Sequence, residues 1–120
     1  GNMIARTATD LLRSMRETLG EGALLLIGMD LVKDEDALIA AYNDAAGVTA
    51  AFNLNLITRI NRELGGDIPA EALRHEARWN DTFARIEMHL VAEADISFTV
   101  SGKQFTMRAG ESIHTENSHK

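Results

Sequence analysis

Hydrophobic residues in the first half of the chain recur at helical spacing and predict three helices. The first is predicted over residues 4–19, ahead of Gly20, a residue type that commonly ends helices. The second is predicted over residues 36–42, with Asp34 placed to cap its first turn. The third is predicted over residues 48–64, where one apolar stripe is formed by Val48, Phe52, Leu56, Ile60 and Leu64.

Between the first two helices lies a continuous apolar run, residues 24–29, with no polar alternation. Such a run predicts a strand that is buried on both faces, as in a parallel sheet. One helix-strand unit cannot cover both faces of its strand or pair both edges. We therefore expect partner strands outside the chain, and we expect residues 1–30 to be the edge of a larger α/β domain.

In the second half the pattern changes to a period of two, which predicts antiparallel strands with one solvent-facing side. Residues 69–73 are expected to form one helical turn before the strands begin. The fold class expected is α+β: one helix-strand unit, two further helices and a meander sheet of four to five strands. The predicted strands are residues 75–80, 85–90, 96–100, 103–108 and 111–118.

Composition and charge exclude several classes of function. A length of 120 residues suits one domain, or one domain with the edge of another. The 18 acidic and 12 basic residues give a net charge of -6, which argues against binding to nucleic acid. The absence of cysteine excludes disulfides and thiolate zinc sites. No apolar run is long enough to span a membrane and no signal peptide is visible, so we expect a cytoplasmic protein.

The last predicted strand carries the most informative polar pattern. With a period of two, His114, Glu116 and Ser118 share one face. Glu116 and Ser118 would then lie about 7 Å apart along the strand, a spacing at which they could grip both nitrogens of a flat ring. The alternative is that these residues form an ordinary solvated face.

Other polar residues leave similar alternatives open. Tyr42 ends a helix and either binds a ligand or buries its ring with the hydroxyl at the surface. Asn53 and Asn55 lie inside a helix and either bond a specific partner or face water. Met88 is interpreted from the pattern as a core residue. No metal site is expected, because the histidines are dispersed along the chain at His75, His89, His114 and His119.

Several stretches of the chain resemble the histidine-specific methyltransferase family, which includes the S-adenosylmethionine-dependent L-histidine Nα-methyltransferase of ergothioneine biosynthesis. The resemblance extends over residues 22–120. It rests on LLIGMDLVKD at residues 25–34, AYNDAAGVTAAFN at 41–53, RIEM at 85–88, GE at 110–111 and TENSHK at 115–120.

The resemblance implies a division of the chain and a set of substrate-binding residues. Residues 1–30 would be a late unit of the Rossmann-like methyltransferase domain, and residues 31–120 would belong to the domain that recognises histidine. Tyr42 would lie near the carboxylate of histidine, Glu116 and Ser118 would grip the imidazole, and Met88 would lie beside the same ring. No residue of the chain is expected to be catalytic in the covalent sense.

The resemblance also implies S-adenosylmethionine as the cofactor of the full-length family. The glycine-rich cofactor loop and the acidic residue that holds the ribose are missing here, so we expect no cofactor binding and no turnover by this chain alone. Two alternatives stay open: a non-catalytic module that binds histidine or a related amine, and an interaction fragment without a ligand. We also expect a homo-oligomer formed through residues 24–29. The exact substrate, the number of methyl groups transferred and the roles of His114 and His119 do not follow from the sequence.

Overall fold

A computed structural model describes residues 2–120 and shows the predicted α+β fold. Within these residues, three helices come first and five antiparallel strands follow, after a short 3-10 turn at Ala70–Ala72. Most predicted boundaries agree with the structure to within two residues. The helices are α1 (Ala5–Leu19), α2 (Glu35–Tyr42) and α3 (Val48–Leu64), and the strands are β1 (Leu73–Asn80), β2 (Arg85–Ala92), β3 (Ile96–Val100), β4 (Lys103–Met107) and β5 (Ser112–His119).

Aspartates explain where α2 and α3 begin. The Asp34 carboxylate accepts a hydrogen bond of 3.3 Å from the backbone N–H of Ala37, as predicted for a cap. The Asp44 carboxylate accepts from the N–H groups of Thr49 and Val48 at 2.9 and 3.0 Å. These bonds lower the pKa of Asp44 to about 2, because they favour the charged carboxylate.

The strands form two sheets, so the prediction of a single meander is wrong. One sheet has the order β1-β2-β5, and β3 and β4 pair only with each other. The chain therefore leaves the larger sheet after β2, makes the β3–β4 hairpin, and returns to pair β5 with the free edge of β2. The reason lies in the burial of β2, which is almost continuous from Met88 to Ala92 and suits a central strand.

The core lies between α3 and the two sheets. Ile57 on α3 packs against Leu90 at the centre of β2, and both side chains are fully buried. A second, smaller cluster joins Leu38 of α2 to Ile86 of β2, and Tyr42 packs against it. Helices α2 and α3 thus cover the same face of the three-stranded sheet. The packing of Leu38 on Ile86 holds the end of α2 over β2.

Residues 24–29, which were predicted to form a strand, have no regular secondary structure, so this prediction is wrong. They belong to an irregular segment, residues 23–34, in which the Leu26 side chain is fully exposed. The physical reason is that a strand needs neighbours for its N–H and C=O groups, and none of the described residues pairs with this segment.

The N-terminal part of the chain also explains the elongated shape of the molecule. Helix α1 has no buried residue. The radius of gyration is 18.0 Å, whereas a packed domain of this length has about 14 Å.

Across residues 2–120, no helix is long and apolar enough to cross a membrane.

Candidate functional site

The structure brings Tyr42 and Ser118 into direct contact, although 76 positions separate them in the sequence. Their hydroxyl oxygens are 2.7 Å apart. Tyr42 is the last residue of α2, and Ser118 pairs with Ile86 across the β2–β5 ladder. The packing of α2 on Ile86 therefore places the tyrosine hydroxyl over the end of β5.

Glu116 and Met88, the other two candidate residues, are direct cross-strand partners. Met88 is buried, and Glu116 is partly exposed beside a depression of about 170 Å³ between β5 and α3. The Glu116 carboxylate accepts a hydrogen bond from the side-chain amide of Asn2. The carboxylate is thus open to a donor from outside the sheet. All four candidates lie on the face that the helices cover.

A β-bulge decides which residues of β5 share that face. Met88 pairs with Glu116, and the next residue, His89, pairs with His114, so Thr115 is an extra residue on β5. The bulge moves His114 to the opposite face from Glu116 and Ser118. The prediction that all three share one face is therefore wrong for His114, because it assumed unbroken alternation.

Asn53, whose two alternatives the sequence left open, is buried and bonds specific partners. Its amide nitrogen contacts the carbonyl oxygen of His89 at 3.1 Å and Nδ1 of His75 at 3.0 Å. Its amide oxygen accepts from the Thr115 hydroxyl at 2.7 Å. His75 in turn contacts the backbone carbonyl of Tyr42 through Nε2 at 2.7 Å. Asn53 therefore connects the bulge, the sheet and the end of α2.

Sequence reasoning missed Lys120, whose buried ammonium group lies at the centre of the site. Its Nζ donates to Asp30 at 2.7 Å, to the Tyr42 hydroxyl at 2.9 Å and to the Ser118 hydroxyl at 3.3 Å. The Lys120 side chain has no exposed surface, whereas that of Asp30 is 38% exposed. The sequence signal that could have found Lys120 is its spacing of two residues from Ser118, because this spacing places the two side chains on one face.

Charge pairing keeps the buried lysine protonated. Burial alone would lower the pKa of Lys120, but hydrogen bonds to Asp30 and Tyr42 outweigh this effect and raise the pKa. Hydrogen bonds from Lys120 and Lys33 hold the pKa of Asp30 far below its usual value. At neutral pH the site therefore contains an ammonium group bonded to a carboxylate.

The opposite face of the sheet carries a second polar cluster, where one solvent-facing side was expected. His89 is buried beneath the ring of His114, with ring centres 4.7 Å apart and planes 18° apart. Its Nε2 lies 3.1 Å from the Glu87 carboxylate and its Nδ1 lies 3.1 Å from the Ser112 hydroxyl. These contacts explain why a polar residue is buried on this side.

The ligand-type atoms of Glu87, His89 and His114 lie within 4.8 Å of one another. A metal ion lies near the plane of an imidazole that ligates it. The two nearly parallel rings do not share a plane, so they do not converge on one ion as they stand. The hydrogen bonds of the cluster account for its arrangement.

Replacement of Asn53 by alanine is expected to lower the free energy of unfolding by about 1–3 kcal/mol, because buried partners lose their hydrogen bonds. Asn55→Ala, on the exposed side of the same helix, is the matched control and should change stability by less than about 0.5 kcal/mol. Urea denaturation of both variants measures the difference. Equal effects would contradict the bridging role of Asn53.

Replacement of Glu87 by glutamine should remove a pH-dependent part of the stability. Burial would raise the pKa of Glu87, but hydrogen bonds from Arg85, His89 and Asn80 outweigh it and lower the pKa to about 2, from an ordinary 4.5. A lowered pKa stabilises the folded state above pH 4.5, and this contribution is lost as the pH falls towards 2. The stability difference between the wild type and Glu87→Gln should therefore shrink over that range in urea titrations. A difference that stays constant would refute the prediction.

The chain is similar to named enzymes over all or part of its length. It is 43% identical over 122 residues to "Histidine N-alpha-methyltransferase" of Mycolicibacterium smegmatis and 41% identical over 122 residues to the protein of the same name from Mycobacterium tuberculosis. Both matches cover 100% of this chain and 38% of the relative, so the chain spans just over a third of their length. It is also 34% identical over 65 residues to "Ergothioneine biosynthesis protein 1" of Neurospora crassa, a match to 54% of this chain and 7% of that protein.

A family model described as "Histidine-specific methyltransferase, SAM-dependent" matches residues 1–120. This match covers the blocks that carry Tyr42, Met88, Glu116 and Ser118, which the fold collects on one face of the sheet. With its whole length matched, the chain belongs to the histidine-specific, S-adenosylmethionine-dependent methyltransferase family.

Proposed function

We propose that this chain is the histidine-recognition part of a methyltransferase that transfers a methyl group from S-adenosylmethionine to the α-amine of L-histidine. The observation that carries the proposal is the contact between the hydroxyls of Tyr42 and Ser118. This contact brings together two separate stretches of the chain that resemble the family. The names of the two mycobacterial relatives support the same activity.

In this proposal the imidazole lies against β5. The Glu116 carboxylate accepts from one ring nitrogen and Ser118 bonds the other, while the apolar side chain of Met88 lies beside the ring. Tyr42 lies near the carboxylate of the substrate. Because Ser118 is already bonded to Tyr42, substrate that bonds Ser118 extends this contact into a longer chain of hydrogen bonds.

Selectivity follows from the cost of leaving polar groups unpaired. An amino acid without an imidazole cannot bond both Glu116 and Ser118, and each polar group that its binding buries without a partner costs about 1–3 kcal/mol. The reaction itself needs the neutral amine lone pair aimed at the methyl group, and holding the two reactants in line supplies much of the rate. The role of this chain is therefore positioning.

S-adenosylmethionine supplies the methyl group in this family. The residues described here do not fit a site for it. A nucleotide cofactor is commonly held by a strand, a glycine-rich turn and a helix in that order, whereas Gly20 and Gly22 follow a helix and precede an irregular segment. We therefore assign the cofactor site to the part of the enzyme that the relatives have beyond the matched 38%.

The proposed division of the chain places residues 1–30 in the methyltransferase domain and residues 31–120 in the substrate domain. The exposure of α1 and of residues 24–29 supports this division, because neither packs on the core of the larger sheet. Asp30, at the boundary, bonds Lys120 and so links the two parts at the site.

A chimeric enzyme tests the proposed function. The chain replaces the matching segment of the Mycolicibacterium smegmatis relative, and histidine methylation is measured. The chimera should methylate L-histidine, and Glu116→Gln should lower kcat/KM by about tenfold, the loss expected for one charged hydrogen bond. Glu93→Gln, at an exposed position just after β2, is the matched control and should leave kcat/KM unchanged. A folded chimera that binds S-adenosylmethionine but does not bind histidine would refute the proposal.

The exposed apolar segment also supports association of the chain with itself. Leu24 and Leu26 are almost completely exposed, and contiguous apolar surface of this kind promotes association. We expect the isolated chain to form a homodimer or larger assembly through residues 24–29. Light scattering should show this, and Leu26→Lys should shift the assembly towards the monomer. A monomeric wild type at high concentration would contradict the expectation.

A further inference from the structure

We propose that Lys120 sets the direction of hydrogen bonding at Ser118, so that the site accepts histidine only with a neutral imidazole ring. This inference rests on the proposed function and deepens it. It assigns a positioning role to Lys120 and specifies the form of the substrate that binds.

The first step is the number of donors on Lys120. A protonated ammonium group has three N–H donors and no acceptor. In this structure its three contacts are Asp30, the Tyr42 hydroxyl and the Ser118 hydroxyl. Both hydroxyl oxygens must therefore accept a hydrogen bond from Lys120.

The second step is the bond between the two hydroxyls, which are 2.7 Å apart. A phenol hydroxyl is more acidic than an aliphatic one, so Tyr42 is the better donor and Ser118 the better acceptor. Ser118 then accepts from both Lys120 and Tyr42. A hydroxyl oxygen has two lone pairs, so Ser118 can bond a further group only by donating its own proton.

The third step concerns the ligand. Ser118 presents a donor, and Glu116, two residues earlier on the same face, presents a carboxylate, which serves as the acceptor. A neutral imidazole matches this pair, because one ring nitrogen carries a proton and the other carries a lone pair. An imidazolium ion has two N–H donors, and one of them would face the O–H of Ser118.

Several other charged groups surround the site, and most are already paired. Asp30 balances Lys120 and also bonds Lys33. Arg59 of α3 lines the depression beside Glu116, but its guanidinium is bonded to Glu63. The Glu116 carboxylate itself attracts a cation. This attraction acts in the wild type and in a Lys120 variant alike. Because the variant also loses the charge of the lysine, the protonation of the bound ring is measured as well as the pH slope.

The experiment measures L-histidine affinity by calorimetry as a function of pH, in the chimeric enzyme described above. In the wild-type chimera the affinity should fall by about tenfold per pH unit below the imidazole pKa of about 6.5. Lys120→Met frees a lone pair on Ser118, so the fall should be less than about threefold per unit. Lys103→Met, at an exposed position on β4, is the matched control and should keep the wild-type slope.

Nuclear magnetic resonance of ring-¹⁵N histidine bound to the wild-type chimera gives a direct second readout. One protonated and one unprotonated ring nitrogen are expected. Two protonated nitrogens, or equal pH slopes for the wild type and Lys120→Met, would overturn the inference.

A third measurement separates this inference from the proposed function. The Nζ protons of Lys120 in the isolated chain should exchange with water more slowly than those of Lys103. Equal exchange would overturn the role of Lys120 even if histidine binds. Slow exchange in the isolated chain, together with a chimera that fails to bind histidine, would instead count against the proposed function.

Discussion

The pairing of β5 with the central strand β2 is the constraint on which the rest of the site depends. It leaves β2 with hydrogen-bonded neighbours on both edges and carries the end of the chain back under α2 and α3. Ser118 reaches Tyr42, and Glu116 lies beside Met88, only because of this register. A shift by one residue would turn these side chains to the opposite face. The bulge at Thr115 is part of the same β2–β5 pairing, because it decides which side chains of β5 lie on each face of the sheet.

Buried polar groups hold the arrangement in place. Asn53 joins α3 to the bulge and to His75, and His75 reaches the carbonyl of Tyr42. Unlike apolar packing, hydrogen bonds are directional, and an unpaired buried group is costly. Within the described residues, no buried side-chain nitrogen or oxygen lacks a hydrogen-bond partner. The end of α2 that carries the Tyr42 hydroxyl is thus held by a connected network of hydrogen bonds, a property that precise substrate recognition requires.

The N-terminal part contrasts with this ordered region. Helix α1 buries no residue, and residues 23–34 lack regular structure. Polar contacts tie this part to the site: the ion pair between Asp30 and Lys120, and the hydrogen bond from the Asn2 side chain to Glu116. Asp30 and Lys120 lie on opposite sides of the boundary between the two proposed domains. The charge of the buried Lys120 side chain is therefore balanced by a residue of the other proposed domain. The curated relatives extend well beyond this chain, which covers 38% of their length.

Local sequence determined a large part of this protein. The helices, the five strands and most of their boundaries follow from periodicity, caps and glycines, because these signals act over a few neighbouring residues. The resemblance of short blocks named the family, and the match over the whole chain confirmed it. The sequence pattern also singled out Glu116 and Ser118, because their spacing along one strand is a local property.

Only the tertiary structure decided what depends on distant contacts. The strand predicted at residues 24–29 is absent because apolar composition does not supply hydrogen-bonding neighbours. The single meander became two sheets, and His114 left the face of Glu116, because alternation does not specify partners or bulges. The burial of Asn53 and Lys120 was not visible in the sequence for the same reason. Their partners, from Asp30 to Ser118, are brought together only when the chain folds.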